Sequence, residues 1–295
     1  MQRLLLAATF AVATATPAAA ITFDYTGSIV TWTAPQDGTY EIVATGAQGG
    51  TATTFQQSAA GRGALIGGYF ELTGGTILSI AVGGIGPSAP TAGGGGGGSF
   101  VVAPGDSPLV IAGGGGGLTW ARFGTTGPGR DANTGQAGLG NDGTPLSSDI
   151  GFGAVPSDPR GSGGGGFNSG GTRATFAWVG SGGGSWATGL AGGVYVSSGP
   201  CTGGAAGGFG GGGDTCGLSG GGGGGYSGGQ GGPLAGGGGS FNADTLTGWS
   251  QAGAGIGNGL VTINLVVEEV TTPEPASATL ALLGLFGLTA LRRRR

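Results

Sequence analysis

The sequence predicts an all-β fold joined to a second body built from glycine. Three observations lead there. Short apolar runs alternate with polar residues and end at turn signals. No segment between residues 21 and 272 sustains a helical period. And 80 of 295 residues are glycine, many of them in uninterrupted runs.

Taken in order, residues 29–33 (IVTWT) and 39–43 (TYEIV) flank APQDG, whose Pro35 and Asp37-Gly38 favour a turn. Residues 76–82 (TILSIAV) form a third run between Gly74-Gly75 and Gly83-Gly84. Residues 99–102 (SFVV) and 108–112 (PLVIA) follow, each touching a glycine run. Residues 260–267 (LVTINLVV) place Val261, Ile263 and Leu265 on one face and Thr262 and Asn264 on the other. That is the period of a half-buried strand.

Six runs hold four or more consecutive glycines: 93–98, 113–117, 163–166, 210–213, 220–225 and 236–239. They lack the one-in-three period of collagen. A flexible linker would mix in serine and charge and avoid large apolar residues, whereas Phe100, Trp120, Phe167, Tyr226 and Phe241 closely follow these runs. Aromatics set against glycine favour packing over a loose tether. Consecutive glycines can form a left-handed extended helix of three residues per turn without internal hydrogen bonds. Every N–H and C=O then needs a neighbour, and without Cβ atoms the backbones can come close enough to supply one. A bundle of polyglycine helices is therefore expected, supported by the β-rich part because each ordered residue costs about 1–2 kcal/mol of conformational entropy.

The ends read as addresses. Arg3, an apolar run over residues 4–12 and Ala18-x-Ala20 form a signal-peptide pattern, with cleavage expected between Ala20 and Ile21. The run is too interrupted, by Thr14, Thr16 and Pro17, for an N-terminal membrane anchor. At the other end Pro273, Glu274 and Pro275 precede an uncharged run over residues 276–291, then Arg292, Arg293, Arg294 and Arg295. As a short C-terminal hydrophobic helix this run would be a marginal inner-membrane anchor, its arginines held in the cytoplasm. Its order and spacing resemble the PEP-CTERM sorting signal of Gram-negative bacteria. That resemblance implies processing by exosortase, a membrane protease-transpeptidase of organisms that make exopolysaccharide.

Residues 21–272 carry thirteen acids against Arg62, Arg122, Arg130, Arg160 and Arg173, a net charge of −8. This opposes binding to nucleic acid. Cys201 and Cys216 form either a disulfide, worth about 3 kcal/mol in the chain-entropy model, or two free thiols; an oxidising compartment favours the disulfide.

Several stretches together resemble the glycine-rich domain family, whose best-known members are the extracellular regions of anaplastic lymphoma kinase and leukocyte tyrosine kinase. They are DGTYEIVATGAQGG (37–50), LTGGTILSIAVGGIG (72–86), GGGGGGSFVV (93–102), LVIAGGGGG (109–117), GGGGSFN (236–242) and NGLVTI (258–263), with Tyr40, Ile42, Gln48, Phe100 and Tyr226 as non-glycine anchors. The resemblance covers most of residues 21–267. It implies a jelly-roll-like β-sandwich similar to tumour necrosis factor, with inserted polyglycine helices. Residues 118–162, with Asp131, Asp142, Asp149 and Asp158, are expected to be a variable insertion. The cytokine-binding role of the receptors is not carried over.

Chemistry is mostly excluded. Gly217-Leu-Ser-Gly-Gly221 and Gly225-Tyr-Ser-Gly-Gly229 match G-x-S-x-G, but the chain has no histidine or lysine to serve as base. A phosphate loop lacks its lysine, and two cysteines without histidine fall short of a zinc site. The scattered acids give no glycosidase spacing. The aspartates of 118–162 read as solvated loop residues before Ca²⁺ ligands. Trp120, Trp178, Trp186 and Trp249 read as packing before a sugar platform.

The expectation is a non-enzymatic, cofactor-free exported protein of the cell surface or exopolysaccharide matrix, handled by signal peptidase and exosortase and passing transiently through the inner membrane. The alternative is a surface recognition module for polysaccharide or another surface protein.

Overall fold

The computed structural model describes residues 20–54, 59–119, 128–176 and 178–266. The signal segment before Ala20, Trp120, Arg122 and the sorting tail with Pro273–Pro275 and the four terminal arginines lie outside the described residues. Among those described, no helix is long and apolar enough to cross a membrane.

The fold is nearly all β. The described residues hold ten strands in chain order: β1 (Ile21–Phe23), β2 (Ile29–Thr33), β3 (Gly38–Thr45), β4 (Gly63–Leu72), β5 (Ile77–Ala81), β6 (Ser99–Ala103), β7 (Ser107–Ala112), β8 (Phe241–Asn242), β9 (Trp249–Gly255) and β10 (Leu260–Leu265). One five-stranded sheet has the order β1-β10-β3-β4-β9 and the other β2-β5-β6-β7-β8. Every pairing is antiparallel. Among the described residues the only helical element is a 3-10 turn at Trp186–Thr188.

Period-two alternation builds the core between the sheets. Tyr40, Ile42 and Ala44 of β3 and Val261 and Ile263 of β10 point inward, meeting Leu78 and Ile80 of β5, Val101 of β6 and Val110 of β7. Tyr40 fixes the first turn as well: its hydroxyl donates to the Gln36 carbonyl at 2.9 Å, and Trp32 meets its ring edge-on at 5.5 Å. All six predicted strands are present, 29–33 unshifted and the others with an end moved by one or two residues.

The sequence reading missed four strands. The longest, β4, was masked by Gly67-Gly68. These glycines serve packing: a Cβ at Gly67 would sit 2.3 Å from the Trp249 indole, which lies over that point of the strand. Either side of them, Ala64, Ile66, Phe70 and Leu72 face the core. The other three are a glycine-alanine strand (β9) and two very short ones (β1, β8).

The glycine body grows from the loops of the sandwich. The chain leaves after β3, β5 and β7 and returns before β4, β6 and β8; the last of these excursions is residues 113–240. All glycines of the six runs are buried.

Candidate functional site

The glycine body is the candidate functional element. Its hydrogen bonds repeat every third residue. In run 93–98, the N–H groups of Gly93 and Gly96 donate to the carbonyls of Leu118 and Gly115, both at 2.8 Å. Those of Gly94 and Gly97 donate to Pro87 and Gly84, both at 3.0 Å, and those of Gly95 and Gly98 to Gly213 and Gly210, at 3.0 and 2.9 Å. Run 220–225 behaves alike: Gly221 and Gly224 donate to Gly93 and Gly96, and Gly222 and Gly225 to Ser162 and Gly165. So does 162–167, whose donors reach Asp214 and Gly211, Thr172 and Ser169, and Gly229 and Tyr226 in three pairs.

The same registers give direction. Runs 93–98, 163–166, 220–225 and 236–239 are parallel, while 113–117 and 210–213 run against them. The body also recruits stretches that are not glycine runs. Ala47 and Gly50 donate to Gly97 and Gly94. Residues 128–139, inside the segment read as an insertion, are woven in as well, with Arg130, Asn133 and Leu139 donating to Ala235, Gly238 and Gly237, each at 2.9 Å.

Only hydrogen at Cα permits this spacing. A Cβ at Gly95 would lie 2.0 Å from the Gly222 carbonyl oxygen, and one at Gly223 would lie 2.1 Å from that of Gly114. Within the six runs, only Gly210 and Gly211 have positive φ, 98° and 84°. Elsewhere in the runs glycine is required by close approach alone.

Because four runs are parallel, their C-terminal ends lie together, and the aromatics that follow them converge. Phe100 and Trp186 are 5.9 Å apart, Trp186 and Phe167 5.9 Å, Phe167 and Tyr226 6.2 Å, and Tyr226 and Phe241 4.8 Å. With Leu190 and Phe209 this column covers Ala81, Val102 and Ile111 on the outer side of the second sheet. Trp186 Nε1 donates to Asp106 Oδ1 at 2.8 Å, anchoring the column to the β6–β7 turn. Aromatic rings thus fasten the glycine body to the sandwich.

The other end of the segment is held by a disulfide between Cys201 and Cys216, packed with Ala174, Val179 and Phe176. It closes a loop of 15 residues. Loss of the bond in a Cys201→Ser/Cys216→Ser variant should cost about 3 kcal/mol, read as a lower urea midpoint than the oxidised protein.

Asp214, two residues before Cys216, went unnoticed in sequence. It is fully buried. Its Oδ2 accepts the Gly180 N–H at 2.9 Å, but Oδ1 has no hydrogen-bond partner among the described residues. Burial pushes its carboxyl from 3.8 up to about 6, against the opposing pull of Ser162, the Gly180 N–H and Arg173. Between those values the folded chain holds a proton that the unfolded chain has lost, so stability falls as pH rises from 4 through 6. The fall from this residue is about 3 kcal/mol. Unfolding midpoints across pH 4–7 should show it, and Asp214→Asn should flatten the slope. An unchanged slope in that variant would remove Asp214 as its source.

The remaining sequence candidates sit apart. Ala20 is exposed, and Ile21 opens β1, paired with Ile263. Of the two G-x-S-x-G serines, Ser219 Oγ donates to Asp158 Oδ1 at 2.5 Å. Ser227 Oγ donates to the Gln136 carbonyl at 2.6 Å and accepts the Gly151 N–H at 2.8 Å. Both are buried and structural. Asp131 accepts the Arg62 N–H at 2.7 Å and Asp142 the Thr144 N–H at 2.9 Å; among the described residues no group of three or more acids and cysteines could hold a metal ion. Trp249 packs over β4 beside Tyr69, ring centres 5.4 Å apart, and Trp178 is exposed. No protein-family model matches the chain, and no curated protein matches it.

Proposed function

We propose that the protein is an exported, exosortase-processed structural component of the cell surface or exopolysaccharide, without catalytic activity. On this reading the two sheets are a jelly-roll-like sandwich and the glycine runs are left-handed polyglycine helices of three residues per turn. Its work is mechanical: a rigid, nearly uncharged body that spaces or links matrix. The observation that carries the reading is the threefold backbone cross-bonding of the runs, because a hydrogen-bonded lattice without side chains resists both shear and proteases.

Export is supported by the disulfide and by Ile21. Cleavage after Ala20 would leave a chain that begins on the first residue of a strand. Signal peptidase, exosortase and the inner membrane are then its partners in transit, and exopolysaccharide its setting.

Intact mass measurement of the protein recovered from cells and from medium tests this. The expected species starts at Ile21, ends close to Pro275 and carries the oxidised cysteine pair. A full-length chain confined to the cytoplasm would overturn the proposal.

A second reading, recognition of a polysaccharide or a protein on the sandwich face, rests on Tyr69 and Trp249. The pair lies on the outer face of the first sheet, on adjacent strands, where Tyr69 is exposed. Saturable binding to the native polysaccharide, lost in Trp249→Ala, would favour it.

A further inference from the structure

Every open sheet has two edges, and an unprotected edge invites another strand. The four edges here differ. β8 has two residues and β1 three. β9 is longer, but its pairing with β4 shifts register between Gly63 and Leu65 and Gly253 sits at φ 64°. Such a bulge turns an edge away from straight pairing. β2 has none of these protections. It pairs with β5 over five consecutive residues without a shift, and IVTWT contains no charge, proline or glycine.

The free side of β2 follows from its register. Ala34 N–H donates to the Thr76 carbonyl at 2.9 Å, so the 34/76 pair is hydrogen-bonded. Bonded pairs alternate along an antiparallel ladder. Trp32 and Val30 therefore bond to β5, while Ile29, Thr31 and Thr33 turn their N–H and C=O outward. These three residues are the exposed ones of the strand, and no partner for their outward groups occurs among the described residues.

We infer that β2 is a self-association edge, on which a second copy of this chain docks its own β2 antiparallel, centred on Thr31. The open groups are self-complementary about that centre. Thr31 faces Thr31 of the other copy and exchanges two hydrogen bonds with it. Ile29 faces Thr33, and the reverse, each exchanging two more, for about six in all. The result is a continuous ten-stranded sheet with an isologous twofold axis. Strand addition draws its affinity from main-chain bonds, and no carboxylate on β2 opposes it. The pairing goes beyond the structural-protein reading and does not depend on export.

Cysteine substitution in the full chain, produced in an exporting host, tests the register. Facing Cα atoms of a bonded antiparallel pair are about 5.5 Å apart, within disulfide reach. Thr31→Cys should form a covalent dimer on mild oxidation. Thr33→Cys alone should not, since like residues there lie roughly 14 Å apart, but a mixture of Ile29→Cys and Thr33→Cys should cross-link. The dimer yield of Thr31→Cys should exceed that of Thr33→Cys by about tenfold or more. Sedimentation of the unsubstituted protein should show a concentration-dependent dimer that Thr31→Pro abolishes, with unchanged circular dichroism because the lost N–H points outward. Equal cross-linking at positions 31 and 33 would overturn the pairing. So would a protein that stays monomeric at the highest concentrations reached.

Discussion

Replacing Gly95 by alanine should cost about 4 kcal/mol or more and leave the glycine body unable to close. The new Cβ would lie 2.0 Å from the Gly222 carbonyl oxygen, 2.5 Å from its carbon and 3.0 Å from the Gly221 oxygen. All three are backbone atoms, so no side chain can swing aside. Gly222 is itself held on both sides, its N–H on Ser162 and its carbonyl under the Gly213 N–H. Relief requires two runs to separate, which strains the bonds from Gly95 to Gly213 and from Gly208 to Gly95. Each buried group left without a partner costs about 1–3 kcal/mol. The control is Gly135→Ala, where the Cβ meets only Asn133 at an ordinary 3.5 Å; its urea midpoint should barely move. In a flexible tether both substitutions would be neutral, because alanine would restrict the folded and unfolded chain alike, so the size of the Gly95 effect separates the two pictures.

Phe100→Ala should cost about 3–5 kcal/mol. Phe100 is wholly buried on the outer side of β6, and its ring meets Trp186 at the head of the aromatic column. Its neighbour Val101 faces the sandwich core. The strand is thus buried on both sides, and truncating Phe100 opens a cavity at the seam between the two bodies. Phe100→Leu should recover part of the loss. If the column fastens the bodies together, the alanine variant should also lose near-ultraviolet circular dichroism from the stacked rings before the far-ultraviolet strand signal fails. Simultaneous loss of both signals would mean that sandwich and glycine body unfold as one unit.

The sandwich strands were legible where side chains alternate: 39–43 and 260–265 announce their inward residues by period two. They were not legible where packing demands glycine. In β4 the Trp249 indole displaces side chains from position 67, and the local pattern breaks although Ala64, Ile66, Phe70 and Leu72 keep the period. The glycine runs show a related gap. Their burial and backbone bonding could be argued from the absent Cβ and the trailing aromatics. Which run lies beside which could not, because a run of identical residues carries no register. Stretches such as 46–50 and 128–139 join the body through backbone bonds, with side-chain help such as the Arg62 N–H to Asp131 Oδ1 bond, and contain no long glycine run. Asp214 was missed for a different reason: one carboxylate after a glycine run looks like a solvated turn, and only burial reveals its orphaned oxygen. The open edge at β2 depends on a sheet order that no local pattern encodes.

The central claim is that the glycine backbones lock one another in place. Amide hydrogen exchange, resolved residue by residue, tests it most directly. The N–H groups of Gly95, Gly96, Gly114, Gly117, Gly222, Gly223 and Gly224 all donate to carbonyls of neighbouring segments within the body. They should exchange at least about a thousandfold more slowly than a free chain, alongside the amides of β3 and β10. Exchange within about tenfold of free-chain rates at those glycines, beside a protected sandwich, would contradict the account.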